Sequence, residues 1–150
     1  MQKLIIVRGH SGSGKTTFAQ QQIAQFELSY PQSKYFHIEN DLFLMEGNNY
    51  VWSESRFQEA KLKARNALKS AFKFCQKHTA LDCLIIVSNV GINRNEIYRM
   101  IKQAEKQHIQ VEIYRLKTFY NNIHQVSDEV VKSMFNRLNE LPIEGEMIIE

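Results

Sequence analysis

The chain is poor in the residues that staple or restrict a fold, with two cysteines, two prolines, one tryptophan and six glycines in 150 residues. Cys75 and Cys83 are too few for a disulfide framework or a cysteine cage around a metal. His37, His78 and His108 fall at no ligand spacing, so no structural metal is expected. Aspartate is nearly as scarce, with only Asp41, Asp82 and Asp128, and chemistry that needs one has few places to find it. The densest apolar runs, residues 4–7 and 84–87, are far too short to span a bilayer, so no membrane role is expected. Met1 leads straight into a strand-like segment with no signal-peptide pattern, and a cytoplasmic protein is expected.

What is present is ordinary for a globular chain. Hydrophobic residues make up 43% and charged residues 23%, which excludes disordered and fibrous classes. The length suits one domain over residues 1–150 with a core of its own, and no repeat or linker divides it. The net charge of +3 is too small to demand a nucleic-acid partner. Its distribution says more. Lys61 to Lys77 holds six basic residues and no acid, while Glu140 to Glu150 holds four glutamates and no base.

Hydrophobic spacing alternates between strands and helices. Residues 3–7 read as a strand buried on both faces, followed after Gly9 by a loop and a helix over 15–27 carrying Phe18, Ile23 and Phe26. Residues 35–38 read as a second strand. Phe57, Ala60, Ala64, Leu68, Ala71 and Cys75 recur every three or four residues and predict a long amphipathic helix over 54–77. A third strand over 84–87, a helix over 94–107 with Ile97, Ile101 and Ala104, and a fourth strand over 111–116 follow. A last helix over 128–139 carries Val131, Met134, Phe135 and Leu138, with Ser127 or Asp128 as its N-cap and Pro142 beyond it. The expected architecture is α/β, a doubly wound parallel sheet with helices on both faces.

Gly9-His10-Ser11-Gly12-Ser13-Gly14-Lys15-Thr16 fits G-x-x-x-x-G-K-[ST] at every fixed position and sits between a predicted strand and a predicted helix. Small residues let backbone N–H groups curl around an anion, and the following helix turns its positive end toward it. The segment from Gly9 through Thr16, with Thr17 beside it, therefore predicts a P-loop NTPase fold that binds a purine nucleoside triphosphate. Lys15 is expected on the β- and γ-phosphates and the Thr16 hydroxyl on Mg²⁺.

The use of the nucleotide is narrower once elements are excluded. No N-K-x-D base-reading element of a GTPase is present, and the third strand ends in Ser88-Asn89 rather than in an acid. The second strand runs into Glu39-Asn40-Asp41, and strand carboxyl ends form the ligand crevice of such sheets. Asp41 is expected either to accept a proton from an acceptor hydroxyl or to sit in the outer shell of Mg²⁺.

Four segments then resemble the polynucleotide kinase-like branch of P-loop kinases, and within it a set of small bacterial and phage ATP-binding proteins. They are the P-loop, the run from Glu39 to Phe43 with an aromatic near Trp52, Ile85-Ile86-Val87-Ser88-Asn89, and Asn122-Ile123-His124-Gln125-Val126 followed by Glu129 and Met134. The resemblance implies Mg·ATP as donor and transfer of the γ-phosphoryl to a hydroxyl, such as a polynucleotide 5′-hydroxyl or a nucleoside-like molecule. It implies Lys15 and Thr16 on phosphate and magnesium, Asp41 as general base, and action in a bacterial cytoplasm, the host's where a member is phage-encoded. The chain departs from the pattern at three places. It has Asn40-Asp41 where two adjacent aspartates are common, and Asn89-Val90-Gly91 where Asp-Thr-Asn or similar is common. It has Tyr120-Asn121 where a lid arginine precedes the Asn-Ile-His segment. Arg137 or Arg115 would then have to supply the missing charge, and without it an alternative stands, an ATP-binding interaction module with little turnover.

Lesser signals remain. Lys61, Arg65, Lys69, Lys73 and Lys77 recur every fourth residue. Like charges at that spacing cost a helix roughly 0.2–0.5 kcal/mol per pair, which an ordinary solvated face tolerates and a nucleic-acid partner would explain. His10 is expected to face solvent or phosphate, and His124 either to touch substrate or to be an ordinary turn histidine. Tyr50 and Trp52 can stack a base or pack in the core. The acidic segment over 141–150 reads as a flexible or edge-packing end.

Overall fold

A computed structural model of the protein describes residues 1–47, 49–120 and 126–150. Five strands form one parallel sheet: β1 (Gln2–Gly9), β2 (Lys34–Ile38), β5 (Cys83–Asn89), β6 (Gln110–Leu116) and β7 (Met147–Ile149), in the order β2-β5-β1-β6-β7. A separate antiparallel hairpin, β3 (Met45–Glu46) with β4 (Asn49–Tyr50), follows a 3-10 turn over Asn40–Leu44. The helices are α1 (Lys15–Ser29), α2 (Glu54–Lys77), α3 (Arg94–Lys106) and α4 (Asp128–Glu140).

The two-residue period of the central strands sorts the core into two layers. Ile5, Val7, Leu84, Ile86 and Leu116 face α1 through Ala19, Ile23 and Phe26. Leu4, Ile6, Ile85, Val87 and Ile113 face the other way, onto Ala64, Ala71, Phe72 and Cys75 of α2 and Ile97 and Ala104 of α3. Each buried aliphatic side chain contributes about 1.5–3 kcal/mol relative to exposure, which is why both faces of the central strands are apolar. No helix of the described residues is long and apolar enough to cross a membrane.

Ser127 is the N-cap of α4, its hydroxyl accepting the Val130 N–H at 3.3 Å. The acidic C-terminal segment ends in β7, which pairs in parallel with β6 from Tyr114↔Met147 to Leu116↔Ile149. Glu146, just before it, is nearly buried between two arginines. Arg8 Nη1 reaches its Oε2 at 2.6 Å and Arg115 Nε its Oε1 at 2.6 Å. Arg8 also donates to the carbonyls of Gly91 at 2.9 Å and Leu141 at 2.8 Å, so its guanidinium is buried with its donors met. Two buried cations thus explain why an acidic segment packs against the sheet.

Candidate functional site

The loop between β1 and α1 holds glycine where a side chain lacks room or would be strained, at Gly9, Gly12 and Gly14. A Cβ on Gly9 would lie 2.3 Å from Ser13 Oγ, and Gly14 holds the left-handed φ of 88° with its open side 3.0 Å from the Tyr120 ring. Gly14 is also the N-cap of α1, which starts with no side-chain cap and no acid in its first turn. The orphan N–H groups of that turn are therefore left for an anion. Lys15 Nζ donates to the His10 carbonyl at 3.0 Å. Burial lowers the Lys15 pKa, against the raising influence of Glu39 and Asp41.

Thr16 Oγ1 donates to Glu39, at 2.9 Å to Oε1 and 3.1 Å to Oε2. Glu39 is 4% exposed, and burial raises its pKa although Thr16 and Lys15 oppose the shift. Ser88, close to this carboxylate, opposes the same shift. His37 Nε2 stands 2.8 Å from Ser88 Oγ and 3.5 Å from Glu39 Oε2. Asp41, two residues on, is the second residue of the 3-10 turn, and Tyr50 from the hairpin lies close to it, with the Tyr50 pKa pushed up to about 12 by burial and by Asp41. Asn89 Oδ1 accepts the Asn40 N–H at 2.8 Å and so pins the backbone between the two acids. Lys15, Thr16, Glu39 and Asp41 therefore meet at the carboxyl end of the sheet. A hydroxyl next to carboxylates is a hard-oxygen donor set, which fits magnesium.

Glu39 is the residue that sequence reasoning passed over in favour of Asp41. The available signal was the strand period. His37 pairs with Ile86, which faces α1, so Glu39 two residues later falls on the same face as Thr16. Asp41 lies outside that period, in the turn.

His10 is corrected. Its side chain is fully buried rather than solvent-facing. The ring stacks on Phe119 at 4.1 Å and meets Phe135 of α4 edge-on at 5.5 Å. Tyr120 N–H donates to the Gly12 carbonyl at 2.7 Å, so residues 119–120 lie against the loop. The site is thus walled by aromatic residues from beyond β6.

The arginines separate. Arg115 is held by Glu146 and, through Nη1, by Asn139 Oδ1 at 2.6 Å. Arg137 is exposed in the last turn of α4, with no hydrogen bond or ion pair to the described residues. Ser11 and Ser13 are buried in the loop, Gly12 adopts φ 80°, and Thr17 is exposed beyond Thr16. Trp52 is 55% exposed, its ring 6.4 Å from Phe57. Residues 121–125, including His124, lie outside the described residues.

Comparison with known proteins agrees with this geometry. A family profile described as an AAA domain, AAA_33, matches residues 4–138. The protein PM0531 of Pasteurella multocida (strain Pm70) is 41% identical over 149 residues, covering 99% of this chain and 83% of that protein. Among solved structures, Kti12 of Chaetomium thermophilum in complex with ADP-AlF3 superposes with a TM-score of 0.57 at 15% identity, over 97% of this chain and 88% of that one. The APS kinase CysC of Mycobacterium tuberculosis, a Cys556Ala mutant, gives 0.52 at 17% identity, over 92% and 97%. The chain belongs to the AAA_33 family of AAA domains, and its fold is that of the P-loop NTPases.

Proposed function

We propose that this chain is an ATP-dependent phosphotransferase that moves the γ-phosphoryl of Mg·ATP to a hydroxyl group. The observation that carries the reading is the meeting of Lys15, Thr16, Glu39 and Asp41 at one strand edge beside the phosphate loop. Lys15 would leave the His10 carbonyl for the β- and γ-oxygens. Thr16 would hold the magnesium ion, with Glu39 behind it orienting a ligating water. The ion, when bound, neutralises charge building on the transferred group.

Asp41 is then the base. The acceptor oxygen bonds to the γ-phosphorus, the bridging oxygen leaves with ADP, and the acceptor proton passes to the Asp41 carboxylate. Tyr50, close to that carboxylate, helps to orient it. Of the two candidate arginines, Arg115 is committed to Glu146 and Asn139, so Arg137 is the one left to meet the transferred group.

The likeness to polynucleotide kinase-like proteins supports a polynucleotide 5′-hydroxyl or a nucleoside-like molecule as acceptor, and a cytoplasmic setting. A second reading, an ATP-binding interaction module with little turnover, is favoured by that same commitment of Arg115, which removes one source of transition-state charge. Transfer of label from γ-labelled ATP to oligonucleotides, nucleosides and sugars tests both. Acceptor-dependent transfer lost in Lys15→Ala and Asp41→Asn supports the first; tight ATP binding with no transfer to any acceptor supports the second.

A further inference from the structure

The outer face of α2 carries charge that the site itself does not use. Lys61, Arg65, Lys69, Lys73 and Lys77 are all exposed, and none makes an ion pair among the described residues. Lys63 alone in this stretch is paired, with Glu59 at 3.3 Å. Other described helices interleave their cations with acids. Helix α3 carries Arg94, Arg99, Lys102 and Lys106 with Glu96 and Glu105, and α4 carries Lys132 and Arg137 with three acids, Asp128, Glu129 and Glu140.

The course of the stripe is set by helix geometry. Successive members stand about 6 Å apart along the axis and turn about 40° each time, so the five span roughly 24 Å and wind nearly half-way round the helix. One end lies by the site. Helix α2 packs against the 3-10 turn that carries Asp41, and Lys61 lies 5.2 Å over the Phe57 ring beside exposed Trp52. The other end lies at the amino end of the central strand β1, where Gln2 Nε2 bonds the carbonyls of Cys75 at 3.0 Å and His78 at 3.1 Å.

We infer that this face of α2 is a track for single-stranded nucleic acid, leading from the amino end of the strands to Asp41. A flat anionic membrane cannot meet charges that wind so far round one helix, and the apolar side of α2 is already buried on the sheet. A flexible phosphate chain can follow the winding, and Trp52 at the head of the track offers a face on which a base can stack. The inference deepens the proposed function by naming the carrier of the acceptor hydroxyl, and it rests on that reading only for the direction of travel.

The test is the fluorescence anisotropy of a labelled single-stranded oligonucleotide with the full chain, across a salt series. Each phosphate contact on a single strand adds about 0.7 to the slope of log K against log salt, and so contributes about fivefold to K near 0.1 M. The double variant Lys69→Gln/Lys73→Gln is expected to bind about 25-fold more weakly, with a slope smaller by about 1.4. Lys102→Gln/Lys106→Gln on α3 is expected to bind as the parent does. Lys15→Ala is expected to keep oligonucleotide binding while losing ATP, which separates the track from the phosphotransfer reading. No binding at 0.1 M, an unchanged slope in the α2 variant, or an equal loss in the α3 variant would overturn the inference. So would stripe-dependent binding to phosphatidylserine vesicles with none to the oligonucleotide.

Discussion

Glu39 and Thr16, 23 residues apart in sequence, meet through a hydroxyl-to-carboxylate bond of 2.9 Å. The strand next to β1 ends in Ser88-Asn89 and offers no acid, so the carboxylate comes from β2, one strand further out. Ser88 and Asn89 flank it instead, Ser88 bonded to His37 beside the Glu39 carboxylate and Asn89 to the Asn40 backbone.

Glu39→Gln keeps a hydrogen-bonding side chain but removes the charge behind Thr16. Groups that orient a metal's ligands are worth about 10–100-fold in affinity. Magnesium is therefore expected to strengthen ATP binding to Glu39→Gln less than to the parent, by about that factor, while metal-free ATP binding changes little. Calorimetric titration with ATP, with and without Mg²⁺, measures this.

Glu146 is the counter-charge of two buried guanidiniums, Arg8 at 0% and Arg115 at 8% exposure. Removing one partner of a buried pair costs about 3–5 kcal/mol, because the charge left behind stays desolvated. Glu146→Ala is expected to lose about that much stability in urea unfolding, more than Glu144→Ala on the exposed part of the same segment.

His10 gives the fold a pH dependence. Burial, then the charge of Lys15, lowers its pKa in the folded protein, with the Thr118 backbone opposing. Below the unfolded pKa of about 6.5 the unfolded chain binds the proton more readily, so stability is complete above that pH and falls as pH drops toward the folded pKa. The fall is at most about 1.4 kcal/mol per pH unit for one proton. His37, also lowered by burial, contributes with the same sign. His10→Phe, which keeps a ring between Phe119 and Phe135, is expected to flatten the fall between pH 7 and pH 5. Melting temperatures across that range would show it.

Gly9→Ala puts a methyl group 2.3 Å from Ser13 Oγ and 3.1 Å from the Leu116 carbonyl. The loop must shift to admit it, so ATP affinity is expected to fall at least tenfold while the circular dichroism spectrum is retained. Equilibrium binding of a fluorescent ATP analogue measures the loss.

Much of this was legible in the sequence because its signals are local. The spacing from Phe57 to Cys75 locates α2 over the same residues that the structure gives it, Glu54–Lys77, and the glycine spacing locates the loop before α1. What was not legible depends on partners distant in the chain. The three residues of β7 are flanked by glutamates and keep exposed side chains, so nothing local marks them as strand. Their place comes from β6 and from the two arginines that hold Glu146. The hairpin at 45–50 is too short for any period to register. His10 looks polar in a loop, and only Phe119 and Phe135, more than 100 residues along the chain, turn it inward.

The most direct test of the account is transfer of label from γ-labelled ATP to a 5′-hydroxyl oligonucleotide in the presence of Mg²⁺, with Lys15→Ala and Asp41→Asn alongside. The account predicts a labelled oligonucleotide with the parent chain, none with Lys15→Ala, and with Asp41→Asn at least a hundredfold slower transfer at unchanged ATP affinity. Equal transfer by Asp41→Asn and the parent would contradict it, and so would no transfer to any hydroxyl acceptor by a parent chain that binds ATP tightly.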